Sequence, residues 1–132
     1  MPIRASSAWG KGSRPAAIDV IDAEEEATLA LSGCMSLISG HEGPALVFDI
    51  GGGSTEFALA QPRNGLNHML SRFATFPVGV VNFAEDFGGD VVDDATYAAM
   101  VARAREIFSG FADSIAGNFD LSALKLVGTS GT

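Results

Sequence analysis

Asp49 and Glu56 bracket the run Ile50-Gly51-Gly52-Gly53-Ser54-Thr55, so two carboxylates enclose three consecutive glycines and two hydroxyls. Glycine takes positive φ without steric cost and puts no Cβ between its backbone and an approaching group. A turn made of Gly51, Gly52 and Gly53 can therefore gather several N–H groups into one small space, and such concavities bind anions, phosphate above all. Ser54 and Thr55 add hydroxyl donors. An anion cradle between Asp49 and Glu56 fits a phosphate held together with a divalent metal, whose hard charge favours oxygen ligands. The plainer reading of the same residues is a tight glycine hairpin with incidental acids. The flanking Asp49 and Ser54-Thr55-Glu56 favour a site.

Two other stretches carry candidate chemistry. Glu24, Glu25 and Glu26 form an acidic run, and Gly128-Thr129-Ser130-Gly131 forms a second glycine and hydroxyl loop near the end of the chain. The acidic run has a purely structural explanation, because acids in a helix's first turn complement the positive end of its dipole. The second loop follows an apolar segment, as a phosphate or nucleotide contact would.

The elements that must position these residues are legible in outline. Leu46 to Ile50 is a short apolar run with its one acid at the carboxyl edge, which suits a strand buried on both faces. The apolar pattern resumes at Phe57 as a second strand. Gln61-Pro62-Arg63-Asn64-Gly65 reads as a hairpin turn and Leu66 to Phe76 as a third strand, with neither face cleanly polar. His68 has no second ligand near it in sequence and reads as an exposed or core-edge histidine.

Upstream, residues 1–16 lack periodicity and read as an irregular tail, and Ala17 to Ile21 as a short strand. Asp22 stands at a helix N-cap with Glu25 completing a capping box, and the helix runs to about Leu37 on the stripe Leu29, Ala30, Cys34, Leu37 and Ile38. Downstream, Pro77 and Gly79 end the third strand. Val80 to Phe87 suits a short helix, and Asp93 or Asp94 caps a long one whose Tyr97, Met100, Val101, Ala104, Ile107 or Phe108, Phe111 and Ile115 keep helical spacing. Leu124 to Val127 reads as a last strand, followed by the loop at Gly128.

Composition bounds the function classes. The chain has 132 residues, net charge −8 and one cysteine, Cys34. That acidity argues against nonspecific attraction to nucleic acid or anionic lipid. A single cysteine excludes an intrachain disulfide and any cysteine-rich zinc site, and points to a reducing, cytoplasmic setting. No apolar run approaches the roughly 20 residues needed to span a bilayer. Partners are thus expected to be neither nucleic acid nor membrane, and assembly as a homodimer is left open.

Taken together, Ile21-Asp22-Ala23-Glu24-Glu25-Glu26-Ala27, Asp49-Ile50-Gly51-Gly52-Gly53-Ser54-Thr55-Glu56, Phe76-Pro77-Val78-Gly79-Val80-Val81 and Val127 to Thr132 resemble, in order and spacing, the exopolyphosphatase and guanosine pentaphosphate phosphohydrolase family. The resemblance implies an α/β, actin-like (ribonuclease H-like) mixed sheet with flanking helices, incomplete at both ends. It implies the end of a first lobe to about residue 43 and the start of a second over 44–132. It implies Mg2+ as cofactor, held by Asp49 and Glu56, with Gly51, Gly52, Gly53, Ser54 and Thr55 on the phosphoryl group and Gly128, Thr129, Ser130 and Gly131 as a second phosphate contact.

Glu26 matches the family's general base, and polyphosphate or guanosine pentaphosphate is the implied substrate. Ala23 departs from the glycine usual there, and the family's first phosphate loop and second-lobe remainder fall outside these residues. The chain is therefore expected to supply one side of a cleft and to turn over weakly or not at all alone. Two rival readings are an actin-like ATPase or kinase fragment and a non-catalytic interaction module.

Overall fold

The computed structural model describes residues 20–63, 67–89 and 91–130. The irregular tail, Asn64-Gly65 and Gly131-Thr132 lie outside them. Val20 and Ile21, the described part of the strand expected over 17–21, are irregular and exposed. Their β-propensity has no neighbouring ladder to join.

Helix α1 spans Ala23–Ile38, and its N-cap is Asp22, whose carboxylate accepts from the Glu25 N–H at 2.9 Å. Ala27, Leu31, Cys34 and Ile38 recur at helical spacing and form its buried stripe. Four strands follow it: β1 (Ala45–Ile50), β2 (Thr55–Arg63), β3 (Asn67–Phe76) and, after the helices, β4 (Lys125–Ser130), in the spatial order β3-β2-β1-β4. The pairs β1–β2 and β2–β3 are antiparallel and β1–β4 is parallel, which makes the sheet mixed.

One face of the sheet packs on α1 through Ala45, Val47, Ala58, Ala60 and Val127. Ile38 is fully buried there, which is worth about 1.5–3 kcal/mol of apolar transfer. Across the sheet lies α3 (Asp94–Ala116), capped by Asp93, whose carboxylate accepts from the Thr96 N–H at 2.7 Å. Phe57 and Phe76 meet Phe108 there at ring distances of 5.0 and 4.9 Å, and Phe111 joins them. Helix α2 (Val80–Asp86) sits on this second face, where Val80 and Phe83 line a cavity with Ile50, Thr55 and, from α3, Ala104 and Phe108.

The mixed polarity of β3 has a simple cause. Ala60 pairs with Leu70 but Leu59 pairs with Arg72, so Ser71 is an extra residue and the strand bulges. A bulge reverses which side chains face which way. His68 and Leu70 face α1 before it, and Phe73 and Thr75 share that face after it. His68 is buried at the core edge, where its Nε2 meets the Gly43 carbonyl at 3.0 Å and its ring stacks on His41.

Candidate active site

Register places the two carboxylates of the candidate site. Asp49 and Glu56 are direct cross-strand partners in β1–β2, so both stand on the α1 face of the sheet at the carboxyl edge of β1. Directly opposite residues have Cβ atoms about 4.5–5.5 Å apart, close enough for one small cation to serve both. Both side chains are half-buried, and Asp49 Oδ1 is buried without a hydrogen-bond partner. A carboxylate oxygen in that state is costly unless something else satisfies it.

The glycine turn continues from this edge. Gly51 N–H donates to the Ser54 carbonyl at 2.9 Å and closes the loop. None of Gly51, Gly52 and Gly53 has a positive φ, so the expected reason for glycine there is corrected: left-handed backbone occurs at Gly40, Gly88 and Gly89 instead. What the turn shows is a common direction for its carbonyls. Gly51 O accepts from Val80 N–H at 3.0 Å, Gly52 O from Val81 N–H at 2.9 Å, and Gly53 O from the Asn82 side-chain amide at 3.1 Å.

In a trans peptide the C=O and the following N–H point opposite ways. Holding three carbonyls toward α2 therefore turns the N–H groups of Gly52, Gly53 and Ser54 away from it, toward the side on which Asp49 and Glu56 stand. None of the three has an acceptor among the described residues. Parallel donors of this kind are what an anion takes up.

Steric demand separates the glycines. A Cβ on Gly79 would run into Gly51 O and lie 2.6 Å from Gly52 C and 2.7 Å from Gly52 O, so only glycine lets α2 dock this closely. A Cβ on Gly53 would meet nothing within 4 Å. No neighbour among the described residues requires glycine at position 53, and the open space above it is available to a ligand.

The remaining predicted site residues are distributed differently. Thr55 is 4% exposed, and its hydroxyl donates to the Val78 carbonyl at 2.7 Å on the face away from Asp49, so it braces the turn instead of reaching the carboxylates. Gly128, Thr129 and Ser130 are not a loop: β4 continues through them because β1 pairs with it as far as Ile50–Ser130. Gly128 makes room for the Phe48 ring, whose nearest atom would sit 2.7 Å from a Cβ there. Thr129 is the parallel partner of Asp49, so it shares the carboxylate face, and its hydroxyl makes a long 3.4 Å bond to the Phe48 carbonyl.

Glu26 lies exposed in the first turn of α1, on the helix that covers the Asp49 face. The far end of α1 is tied to β4 by Lys125 Nζ donating to the Leu37 carbonyl at 2.6 Å. The first turn reaches the β3 side, where Glu24 lines a cavity of about 360 Å3 with Leu70, Arg72, Phe73 and Phe111. Glu26 is thus on the correct face but not in contact with the carboxylate pair, and no group of three metal-ligating side chains forms among the described residues.

Sequence reasoning missed α2 as a clamp and Asn82 within it. The signal available was a polar residue at the third helical position after Pro77-Val78-Gly79, where a side chain can reach back to the cap.

The model of the Ppx/GppA phosphatase family matches residues 9–132. The chain is 34% identical over 116 residues to a guanosine-5'-triphosphate,3'-diphosphate pyrophosphatase of Pseudoalteromonas atlantica, a match covering 87% of this chain and 21% of that protein. It is similar to the crystal structure of an exopolyphosphatase from Cytophaga hutchinsonii, with TM-score 0.67 and 25% identity over 86% of this chain and 35% of that one. It is also similar to a Ppx/GppA family member from Aquifex aeolicus, with TM-score 0.57 and 26% identity over 88% of this chain and 34% of that one.

The chain thus spans about a fifth of the length of the curated relative and about a third of the solved ones. The mixed sheet with flanking helices is the actin-like arrangement of these proteins. By its family match and its fold, the chain belongs to the Ppx/GppA phosphatase family.

Proposed function

We propose that the chain forms one wall of a site that hydrolyses terminal phosphoanhydride bonds, with inorganic polyphosphate or guanosine pentaphosphate as substrate. The single observation that carries this reading is the set of free N–H groups at Gly52, Gly53 and Ser54 aimed toward the face that bears Asp49 and Glu56. Relatives described as an exopolyphosphatase and as a guanosine-5'-triphosphate,3'-diphosphate pyrophosphatase support it.

Charge on the phosphoryl oxygens is the main obstacle in this chemistry, and preformed donors lower it without reorganising during the reaction. The three amides meet that need for the oxygens facing the turn. The Asp49 and Glu56 carboxylates fit Mg2+, an ion typically held by one or two carboxylates with water and phosphate oxygens completing its shell. Bound there, it would neutralise substrate charge that this acidic chain otherwise repels. Asp49 Oδ1, buried and without a partner, supports that fit.

Glu26 is the proposed general base, accepting a proton from the attacking water. Its exposed place at the start of α1 leaves it room to approach a substrate lying over the Asp49 face. Thr129 borders the same face beside Asp49 and is the proposed second phosphate contact. A cytoplasmic setting suits the substrates proposed.

The test couples binding to turnover. Calorimetric titration with tripolyphosphate should show saturable, Mg2+-dependent binding. Phosphate release from polyphosphate or guanosine pentaphosphate should be slow in the wild-type chain and absent in Glu26→Gln, whose binding is unchanged. Loss of binding in Glu26→Gln would move that residue from base to ligand, and absence of Mg2+-dependent binding in the wild type would overturn the reading.

A further inference from the structure

We propose that Asn82 is a positioning residue for the phosphate cradle: its side-chain amide fixes the Gly53–Ser54 peptide and thereby aims the Ser54 N–H at the ligand. The inference rests on reading the turn as a phosphate cradle and adds what holds that cradle in shape. Backbone donors of α2 reach only the first two carbonyls of the turn, with Val80 N–H on Gly51 O and Val81 N–H on Gly52 O, the latter joined by Asn82 N–H at 3.4 Å. The third carbonyl, Gly53 O, is reached by a side chain, the Asn82 Nδ2 group.

The same amide is engaged on every side. Its Nδ2 also donates to the Pro77 carbonyl at 3.2 Å, and its Oδ1 accepts from the Gly79 N–H at 2.7 Å. Turning the amide over would set its oxygen against two carbonyls and its NH2 against an N–H, so only one orientation satisfies the network. Asparagine alone fits this task. Aspartate is the same size but has no donor, serine and threonine are too short to span both ends, and glutamine is longer by a methylene.

Among the described residues, none beyond its chain neighbours comes within 4 Å of where a Gly53 Cβ would stand, so packing does not fix its peptide. Beyond the Gly51–Ser54 closure, the tether to Asn82 is what orients it. A residue that only capped α2 would need Oδ1 alone.

Two readouts on the isotopically labelled chain separate these roles. Asn82→Asp keeps the acceptor for Gly79 N–H and deletes the donor. In the unliganded chain it should shift the Gly53 carbonyl 13C resonance and broaden the Ser54 amide by microsecond-to-millisecond exchange, while Val80 and Val81 keep their resonances. A spectrum unchanged at Gly53 and Ser54 assigns Asn82 to capping and overturns the proposal.

Asn82→Ala should bind Mg2+-tripolyphosphate about tenfold more weakly, the loss of one well-placed donor to a charged group. Unchanged affinity also overturns it. A wild-type chain whose Gly52, Gly53 and Ser54 amides ignore tripolyphosphate would refute the cradle reading instead, and the Asn82→Asp spectrum would still decide whether Asn82 sets that peptide.

Discussion

Gly53 lies within the turn and Gly79 packs against it, and alanine at each should have opposite consequences. At Gly79 the backbone is extended, with φ −140° and ψ −175°, so alanine meets no conformational penalty. Its Cβ would instead press on Gly51 O and approach Gly52 C to 2.6 Å, both main-chain atoms with no rotamer to yield. Forcing a methyl group into close packing costs about 1–3 kcal/mol. Separating α2 from the turn would relieve the clash only by loosening the Val80 and Val81 bonds.

At Gly53 nothing lies within 4 Å of the added methyl and φ is outside the left-handed region. Replacing a glycine where the backbone is compatible stabilises by about 0.4–1 kcal/mol, because the unfolded chain loses freedom. At roughly 3–6 °C per kcal/mol for a chain of this size, Gly53→Ala should melt about 1–6 °C higher and Gly79→Ala at least several degrees lower. Thermal unfolding by circular dichroism reads the first difference. Titration with Mg2+-tripolyphosphate reads the second, and there Gly53→Ala should lose about tenfold or more in affinity because its methyl enters the ligand's space. If Gly53→Ala melts lower than wild type, or binds as tightly, the reasoning that its glycine serves a ligand is refuted.

Asp49→Asn should raise the melting temperature of the metal-free chain, since it removes a like-charge cross-strand pair worth about 0.2–1 kcal/mol, and should abolish stabilisation by added Mg2+. Paired melts with and without the ion check both parts. Ile38→Ala should cost about 2–5 kcal/mol in urea unfolding, because the side chain is fully buried between α1 and the sheet. Asp93 has its carboxyl pKa held below the ordinary 3.8 chiefly by the Thr96 N–H. A folded pKa below the unfolded one gives a contribution that is complete above pH 3.8 and lost as pH falls through the lowered folded value. Helix content in α3 should therefore decline only at acid pH, and Asp93→Ala should remove that dependence while lowering helicity at neutral pH.

Local signals carried the elements well and the long-range pairings poorly. The Asp22 cap was readable because capping is a local competition for N–H groups, and the observed helix ends one residue past the expected Leu37. The second half of the expected capping box, a bond from the Asp22 N–H to the Glu25 carboxylate, is not among the contacts of the described residues. β4 was expected to stop at Val127 because Gly128-Thr129-Ser130 reads as a glycine and hydroxyl loop, with Gly128 disfavouring a strand. Pairing with β1 overrides that propensity, and Gly128 admits the Phe48 ring.

The carboxylates and the glycine turn were readable as types in a pattern. Their shared face was not, since it follows from the Asp49–Glu56 register. Thr55 shows the limit most clearly: its hydroxyl looked like a phosphate donor in sequence, and it is bound to Val78, 23 residues away. The donors left over are main-chain amides, which no side-chain pattern reveals.

The central claim is that Gly52, Gly53 and Ser54 amides and the Asp49–Glu56 pair bind a metal-complexed phosphate together. An amide-resolved NMR titration of the wild-type chain with tripolyphosphate, run with and without Mg2+, tests it most directly. The account predicts that those three amides shift together, saturate at one common affinity, and do so far more weakly without Mg2+ or in Asp49→Asn. Shifts confined to other parts of the chain, or equal in the presence and absence of Mg2+, would contradict it.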